Sequence, residues 1–576
     1  MPCRLARLAG LLLLTLFAVD ALAQPAGAPT PPAAPTPPGT EAAPTDTTYA
    51  EATPADELPG PASGWHLDYN PDLGSWGANV IAAYALLADR TPQDTVIVAV
   101  IDSGVDIDHE DLRGVLWTNP DEQRNGTDDD GNGYVDDLHG WNFIGGPDSA
   151  HVEFDTYEVT RLYAPLRERF EGTTASGVAP EDSVDFARYL ELRVAYETDA
   201  MEARQLYAQV QQIQGVVEQS MGVLKKYLGT DAVTPEDRAE LAKSAMPLPA
   251  DVQQAVGILA YLDDNGISAE DVLEAGKQLR SQIDYGYNLD FDPRPIVGDD
   301  YSDPNERTYG NADVYGPAAD HGTHVAGIIA ADRSNELGIA GVAAPVQIMV
   351  LRTVPDGDER DKDVANAIRY AVDNGARVVN MSFGKSYSPQ KEVVDAAVLY
   401  AEEQGVLLVH AAGNSAEDLD VTPNFPTRRY LDGTEATNWL EVGASSWAGE
   451  ALLPADFSNY GQTTVDLFAP GVAINSTMPE GTYEESDGTS MAAPVVAGAA
   501  ALLLAYFPDL TAQDVRAILM DSATDYADLV VTRPDGSAMA GMGVAPQVPF
   551  GTLSVSGGLL NVAAAVEAAI ALAEAR

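Results

Sequence analysis

The chain has 576 residues, with 88 acidic against 32 basic side chains and a net charge of −56. A polyanion of this size is repelled by nucleic acid and by anionic membranes, which argues against both as partners. An apolar content of 45% is too high for a mainly disordered chain, and a single cysteine, Cys3, excludes an internal disulfide framework.

In chain order, Arg4 and Arg7 precede an apolar run from Leu8 to Val19, and Ala21-Leu22-Ala23 supplies small residues ahead of Gln24. This reads as a secretory signal over residues 1–23, with a run too short to span a bilayer. Residues 24–62 are mostly Pro, Ala, Thr, Gly and acid, a composition of a disordered tether. From Trp65 the pattern becomes globular. A helix is expected over Asn79 to Leu87, and Val96 to Ile101 is an unbroken β-branched run, the mark of a strand buried on both faces of a parallel sheet. Similar runs occur at Val346–Leu351, Val378–Met381 and Val406–Val409, separated by helical patterns at Val325–Ala331, Asp363–Val372 and Lys391–Glu403. Strands alternating with helices predict an α/β domain with a largely parallel sheet, over 63–151 and 293–576. Residues 152–292 break the alternation. Leu206, Val210, Ile213, Val217, Met221, Leu224 and Leu228 form one apolar stripe, Thr234-Pro235-Glu236 opens another helix, and Ser268 with Asp271 resembles a capping pair. This segment reads as a helical insertion. No later stretch reads as a membrane span.

Three motifs carry the chemistry: Asp102-Ser103-Gly104 directly after the first strand, His321-Gly322-Thr323-His324-Val325-Ala326-Gly327 opening a helix, and Gly488-Thr489-Ser490-Met491-Ala492-Ala493-Pro494 opening an apolar helix. A hydroxyl is a weak nucleophile until an imidazole removes its proton, and a carboxylate must hold that imidazole in the right tautomer. Open α/β sheets place such groups at element ends. His324 reads as packing, His109 and His410 as structural. Zinc is disfavoured, because the His-x-x-His pair lacks the Glu of the metalloprotease motif.

The order Asp, His, Ser with these local sequences resembles the subtilisin-like serine proteases over about residues 65–150 and 295–576. The resemblance implies a three-layer α/β/α domain and a secreted endopeptidase working through an acyl-enzyme. Asp102 would orient the imidazole, His321 act as base then acid, and Ser490 attack the carbonyl. Asn414, in His410-Ala411-Ala412-Gly413-Asn414, matches the family's oxyanion-hole amide. Ser382, Phe383 and Gly384 match the segment that pairs with an extended peptide, and Ala411, Ala412 and Gly413 would wall the pocket beside it. A catalytically silent peptide-binding protein using the same groove is the alternative. The long separation of Asp102 from His321 departs from the family, as does the lack of a compact prodomain between Gln24 and Trp65. Asp128, Asp130, Asn132 and Asp136 follow the opening of an EF-hand-type loop, so structural calcium is expected. His139 stands where a bidentate Glu belongs, which leaves the site to borrow a ligand such as Asp137. Asp299, Asp300 and Asp303 form a weaker acidic group. No redox or nucleotide cofactor is expected. The expected partners are protein or peptide substrates of a monomer released from the cell or held in the periplasm.

Overall fold

In the computed structural model, residues 60–576 are described apart from 72–73, 245–246, 265–266 and 536–544. The signal and nearly all of the tether lie outside the described residues. Two compact units are present: 61–205 with 278–576, and 206–277.

The first unit is built on a nine-stranded sheet. Its strands are β1 (Val96–Asp102), β2 (Gly140–Asn142), β3 (Val346–Arg352), β4 (Val378–Met381), β5 (Leu407–Ala411), β6 (Trp439–Ser445), β7 (Leu467–Pro470), β10 (Thr524–Asp525) and β13 (Gly558–Leu559). The spatial order is β10-β13-β7-β6-β5-β4-β1-β3-β2. Every neighbouring pair is parallel except β10 with β13. Among the described residues three antiparallel strand pairs stand apart from it: Tyr69–Asn70 with Ser75–Trp76, β8 (Ile474–Met478) with β9 (Thr482–Ser486), and β11 (Val530–Thr532) with β12 (Gln547–Pro549).

Alternation along β1 decides the layers. Val96, Val98 and Val100 enter one core, while Ala99 and Ile101 enter the other. The first core is closed by α7 (Asp320–Ala330), α10 (Thr489–Tyr506), α11 (Ala512–Asp521) and α12 (Val562–Ala575), and the second by α8 (Asp361–Asp373) and α9 (Lys391–Glu403). A parallel sheet covered on both faces is the arrangement that continuous apolar strands require. Among the described residues α10 is the one helix long and apolar enough to cross a membrane, and 89% of it is buried inside the molecule. Its stretch from Val495 to Ala505 packs on the sheet centre, so a Leu503→Ala cavity there would cost about 2–5 kcal/mol. The short helix α1 (Val80–Leu86) packs beside α12.

The insertion is helical as its stripe predicts: α2 (Glu158–Phe170), α3 (Ser183–Leu228), α4 (Pro235–Ala242), α5 (Ala250–Asp264) and α6 (Ala269–Ser281). It does not form one unit. Residues 152–205 and 278–292 belong to the sheet domain, where Tyr163, Phe170, Phe186, Tyr189 and Tyr196 form an aromatic core. In the 206–277 unit, Val210, Val217 and Leu224 of the stripe are fully buried. Thr234 closes a capping box with Asp237, and Ser268 and Asp271 exchange the hydrogen bonds expected of a cap. One guanidinium gathers both ends of the insertion: Arg360 donates to Asp155 at 2.8 and 3.0 Å and to Asp292 at 3.2 Å.

Candidate active site

β1 lies between β3 and β4, whereas the chain passes from β1 first to β2 at the sheet edge. Strand order therefore reverses at β1, and the crevice beyond its carboxyl end is where open α/β sheets bind ligands. Asp102 is the last residue of β1. Its Oδ1 accepts the Ser103 amide at 2.7 Å and faces His321 Nδ1 at 2.8 Å, across 219 residues of chain. The Asp102 side chain is 2% exposed and that of His321 is 41% exposed, so the ring is fixed at its inner nitrogen and open at its outer one.

Two glycines allow this approach. Gly104 has φ +122, and a Cβ on it would collide with the Tyr315 carbonyl. A Cβ on Gly322 would collide with the Gly104 carbonyl, so α7 reaches Asp102 only because that position is bare. Thr323 locks the contact by accepting the Asp106 amide at 2.8 Å. His324, one turn on, is buried and bonded at Nε2 to the Glu484 carbonyl at 3.1 Å, with burial lowering it to about 4. That fits a packing role.

Ser490 lies in the first turn of α10, which packs against α7. Pro494 sits four residues on and has no N–H, so the Ser490 carbonyl lacks its helical partner. Ser382 fills the gap: its hydroxyl donates to that carbonyl at 2.9 Å, and the Ser490 hydroxyl donates to the Ser382 carbonyl at 3.1 Å. Asn414 follows β5. Its Oδ1 accepts the Thr489 amide at 2.9 Å and the Thr489 hydroxyl at 3.0 Å, which leaves Nδ2 free to face outward. The position a Cβ would take on Gly488 is 3.5 Å from both Asn414 Nδ2 and Ser490 N, so the two nitrogens flank the same small volume.

The segment Ser382, Phe383 and Gly384 continues β4, with Ser382 buried and Gly384 exposed. Ala411 and Ala412 are buried at the end of β5. The Gly413 amide donates to Thr489 Oγ1 at 3.0 Å. Asn424 and Asn459 hold this wall through the Ala412 carbonyl, at 3.2 and 2.8 Å. These two asparagines, and Thr489 as the residue that turns Asn414, have no local signal in the sequence that marks them as supports. Behind the wall a buried ionic group ties the insertion to this segment. Lys385 Nζ lies 2.8 Å from both Glu158 and Asp361, and Arg161 pairs with Glu158 at 2.7 Å. The cations hold Glu158 down at about 2 despite its burial, and the carboxylates raise Lys385. Arg294 with Asp299 and Asp363, and Lys362 with Asp299, extend the ionic group. Asp299 is thereby committed to cations, not to a metal.

The acidic loop is arranged differently from its spacing. Asp128 accepts amides of its own turn at 2.6–3.1 Å, and Asp136 accepts those of Asn125 and Gly126 at 2.8 and 2.9 Å. The carboxylates that converge are Asp130, Asp137 and Glu122, with ligand atoms within 4.8 Å of one another. Asn132 donates into this trio, to Asp130 and Asp137. Glu122 is buried with Oε2 unpartnered, and burial pushes Asp137 up to about 6. Three hard oxygen donors, one of them orphaned, suit calcium.

The family model described as the subtilase family matches residues 93–538. A thermophilic serine proteinase from Bacillus sp. (strain AK1) is 39% identical over 222 residues, which are 38% of this chain and 49% of that protein. Subtilisin DY from Bacillus licheniformis is 37% identical over 212 residues, 36% of this chain and 72% of that protein. The chain thus spans about half the length of the first of these relatives. A solved structure of proteases from Pseudoalteromonas arctica overlays with a TM-score of 0.43 at 19% identity, covering 88% of this chain and 98% of that one. With the family model matched from the sheet's first strand to well beyond α10, the chain belongs to the subtilase family.

Proposed function

We propose that this protein is an exported serine endopeptidase that cuts peptide bonds through an acyl-enzyme at Ser490. The observation that carries the reading is the 2.8 Å contact of His321 Nδ1 with buried Asp102, which leaves the opposite ring nitrogen exposed to take a proton. Asp102 keeps the proton on Nδ1 and stabilises the imidazolium. The Ser490 hydroxyl passes its proton to His321 as its oxygen attacks the substrate carbonyl. Asn414 Nδ2 and the Ser490 amide donate to the developing oxyanion. His321 then protonates the leaving amine, and water repeats the sequence in reverse to release the acid. An extended peptide adds as a strand along Ser382, Phe383 and Gly384, with Ala411, Ala412 and Gly413 walling the pocket.

The domain reading is a peptidase over 63–151 and 293–576 carrying an insertion at 152–292, working as a monomer on protein or peptide substrates. Residues 1–23 would direct export, to the medium or the periplasm. Calcium would be held by Glu122, Asp130 and Asp137 and would neutralise their mutual repulsion. A bound ion lowers the population of opened, cleavable chains, which matters in a protease without disulfides. A fluorophosphonate probe tests the central reading: covalent labelling of the wild type, lost in Ser490→Ala, is expected. An unlabelled, folded wild type would instead fit a silent peptide-binding protein.

A further inference from the structure

His410 stands on β5, opposite Met381 of β4 in parallel register, and is wholly buried. Both of its ring nitrogens face oxygens. Nε2 is 2.8 Å from the Phe383 carbonyl, and Nδ1 is 2.9 Å from Glu441 Oε1 on β6. The other oxygen of Glu441 accepts the Trp439 indole N–H at 2.9 Å, and the Trp439 ring packs on the imidazole at 5.3 Å. A carbonyl only accepts, so Nε2 must carry a proton. Nδ1 against Glu441 then needs one further shared proton, held as imidazolium with carboxylate or as imidazole with carboxylic acid. The other charges nearby pair among themselves: Asp466, just before β7, lies 2.8 and 2.6 Å from Arg428 and Arg516, and Glu435 lies 3.6 Å from Arg428.

The carbonyl that His410 holds belongs to the middle residue of the proposed peptide-pairing segment. The preceding carbonyl, of Ser382, points the opposite way, to the Ser490 hydroxyl. Consecutive carbonyls of an extended segment alternate between its two edges, so fixing one fixes its neighbours. We propose that His410, steadied by Glu441, is a positioning residue for peptide binding. It pins the Phe383 carbonyl toward the sheet and thereby turns the backbone groups of Ser382 and Gly384 to the cleft. This inference rests on the endopeptidase reading and adds to it a residue that does not touch substrate.

The test compares a peptide long enough to pair with the segment against a small activated ester that does not reach it. His410→Phe keeps a ring but loses the donor. It is expected to raise KM for the peptide about tenfold, the loss of one strand-ordering hydrogen bond, while ester kcat/KM stays within twofold. Glu441→Gln is expected to keep the wild-type KM, because its amide donates to Nδ1 and leaves Nε2–H on Phe383. An unchanged peptide KM in His410→Phe, or an equal loss on both substrates, would overturn the proposal. Should His410→Phe not fold, Glu441→Leu replaces it: a raised KM beside a normal Glu441→Gln supports the proposal, and equal values in the two refute it. Fluorophosphonate labelling of Ser490 is measured in each protein. Absent labelling in the wild type speaks against the endopeptidase reading itself, whereas intact labelling with an unmoved KM removes the positioning role alone.

Discussion

Glu158→Gln is the sharpest probe of how the insertion supports the cleft wall. Glu158 lies 2.8 Å from Lys385, with side chains 3% and 2% exposed. At an effective dielectric of about 20, that contact is worth roughly 6 kcal/mol of gross attraction. Asp361 remains at 2.8 Å to balance Lys385, and Arg161 keeps Asp155 at 3.4 Å. The net loss should therefore fall near the low end for breaking a buried pair, about 3 kcal/mol. The assay is urea unfolding at pH 7 in a Ser490→Ala background, which on the proposed mechanism suppresses autolysis. The double variant Glu158→Gln with Lys385→Met separates the causes. If the cost is a stranded ammonium, the double variant should be more stable than the sum of the single losses by at least about 1 kcal/mol. A loss under about 1 kcal/mol in Glu158→Gln, or strict additivity in the double variant, would refute the account.

Other expectations follow from the same geometry. On the proposed mechanism Asn414→Leu should cut kcat about 10²–10³-fold with little change in KM, the magnitude known for loss of an oxyanion-hole donor in subtilisin. Steady-state kinetics checks it, and a KM effect without a kcat effect would remove Asn414 from the oxyanion site. His66 and His324 are both lowered to about 4, chiefly by burial, from an ordinary 6.5. The unfolded chain takes up protons that the folded chain refuses, so stability is full above pH 6.5. It falls as pH drops toward 4, by roughly 3 kcal/mol per histidine. Unfolding measured between pH 7 and 4.5 should show this decline, and a flat profile would contradict it. Calcium should raise Tm, and its affinity should fall as pH drops through about 6, where Asp137 takes a proton. Calorimetric titration checks this, with Asp137→Asn weakening binding. Replacing 206–277 by a short Gly/Ser linker should leave Ser490 labelling within twofold, since none of the proposed catalytic residues lies in that unit.

Strands β1, β3, β4 and β5 were legible because each is buried on both faces, which favours a nearly continuous apolar run, whereas the equally buried β6 was not, since Glu441 and Gly443 interrupt its run. Val378–Met381 and Lys391–Glu403 fall on the boundaries that their patterns predict. The β9 strand was not legible, since Thr482–Ser486 is polar and mostly exposed and owes its conformation to pairing with β8. The Asp102–His321 contact could be read because each member sits in its own short motif, whereas the Ser490 hydroxyl is bonded to the Ser382 carbonyl. The support of the cleft wall could not be read: Lys385 and Glu158 are 227 residues apart, and no local pattern joins them. The acidic loop shows the same limit. Alternate spacing marks Asp128 and Asp136, yet backbone amides of nearby turns claim both, and Glu122 joins Asp130 and Asp137 from outside the spaced motif.

Arg360 grips both Asp155 and Asp292, so the two ends of the insertion are held together on the sheet domain. The 206–277 part of a segment anchored in this way can be lengthened, exchanged or pared back while the contacts that 152–205 and 278–292 make in the sheet domain are kept. That unit can therefore diverge with the proposed hydrolytic machinery left as a fixed chassis.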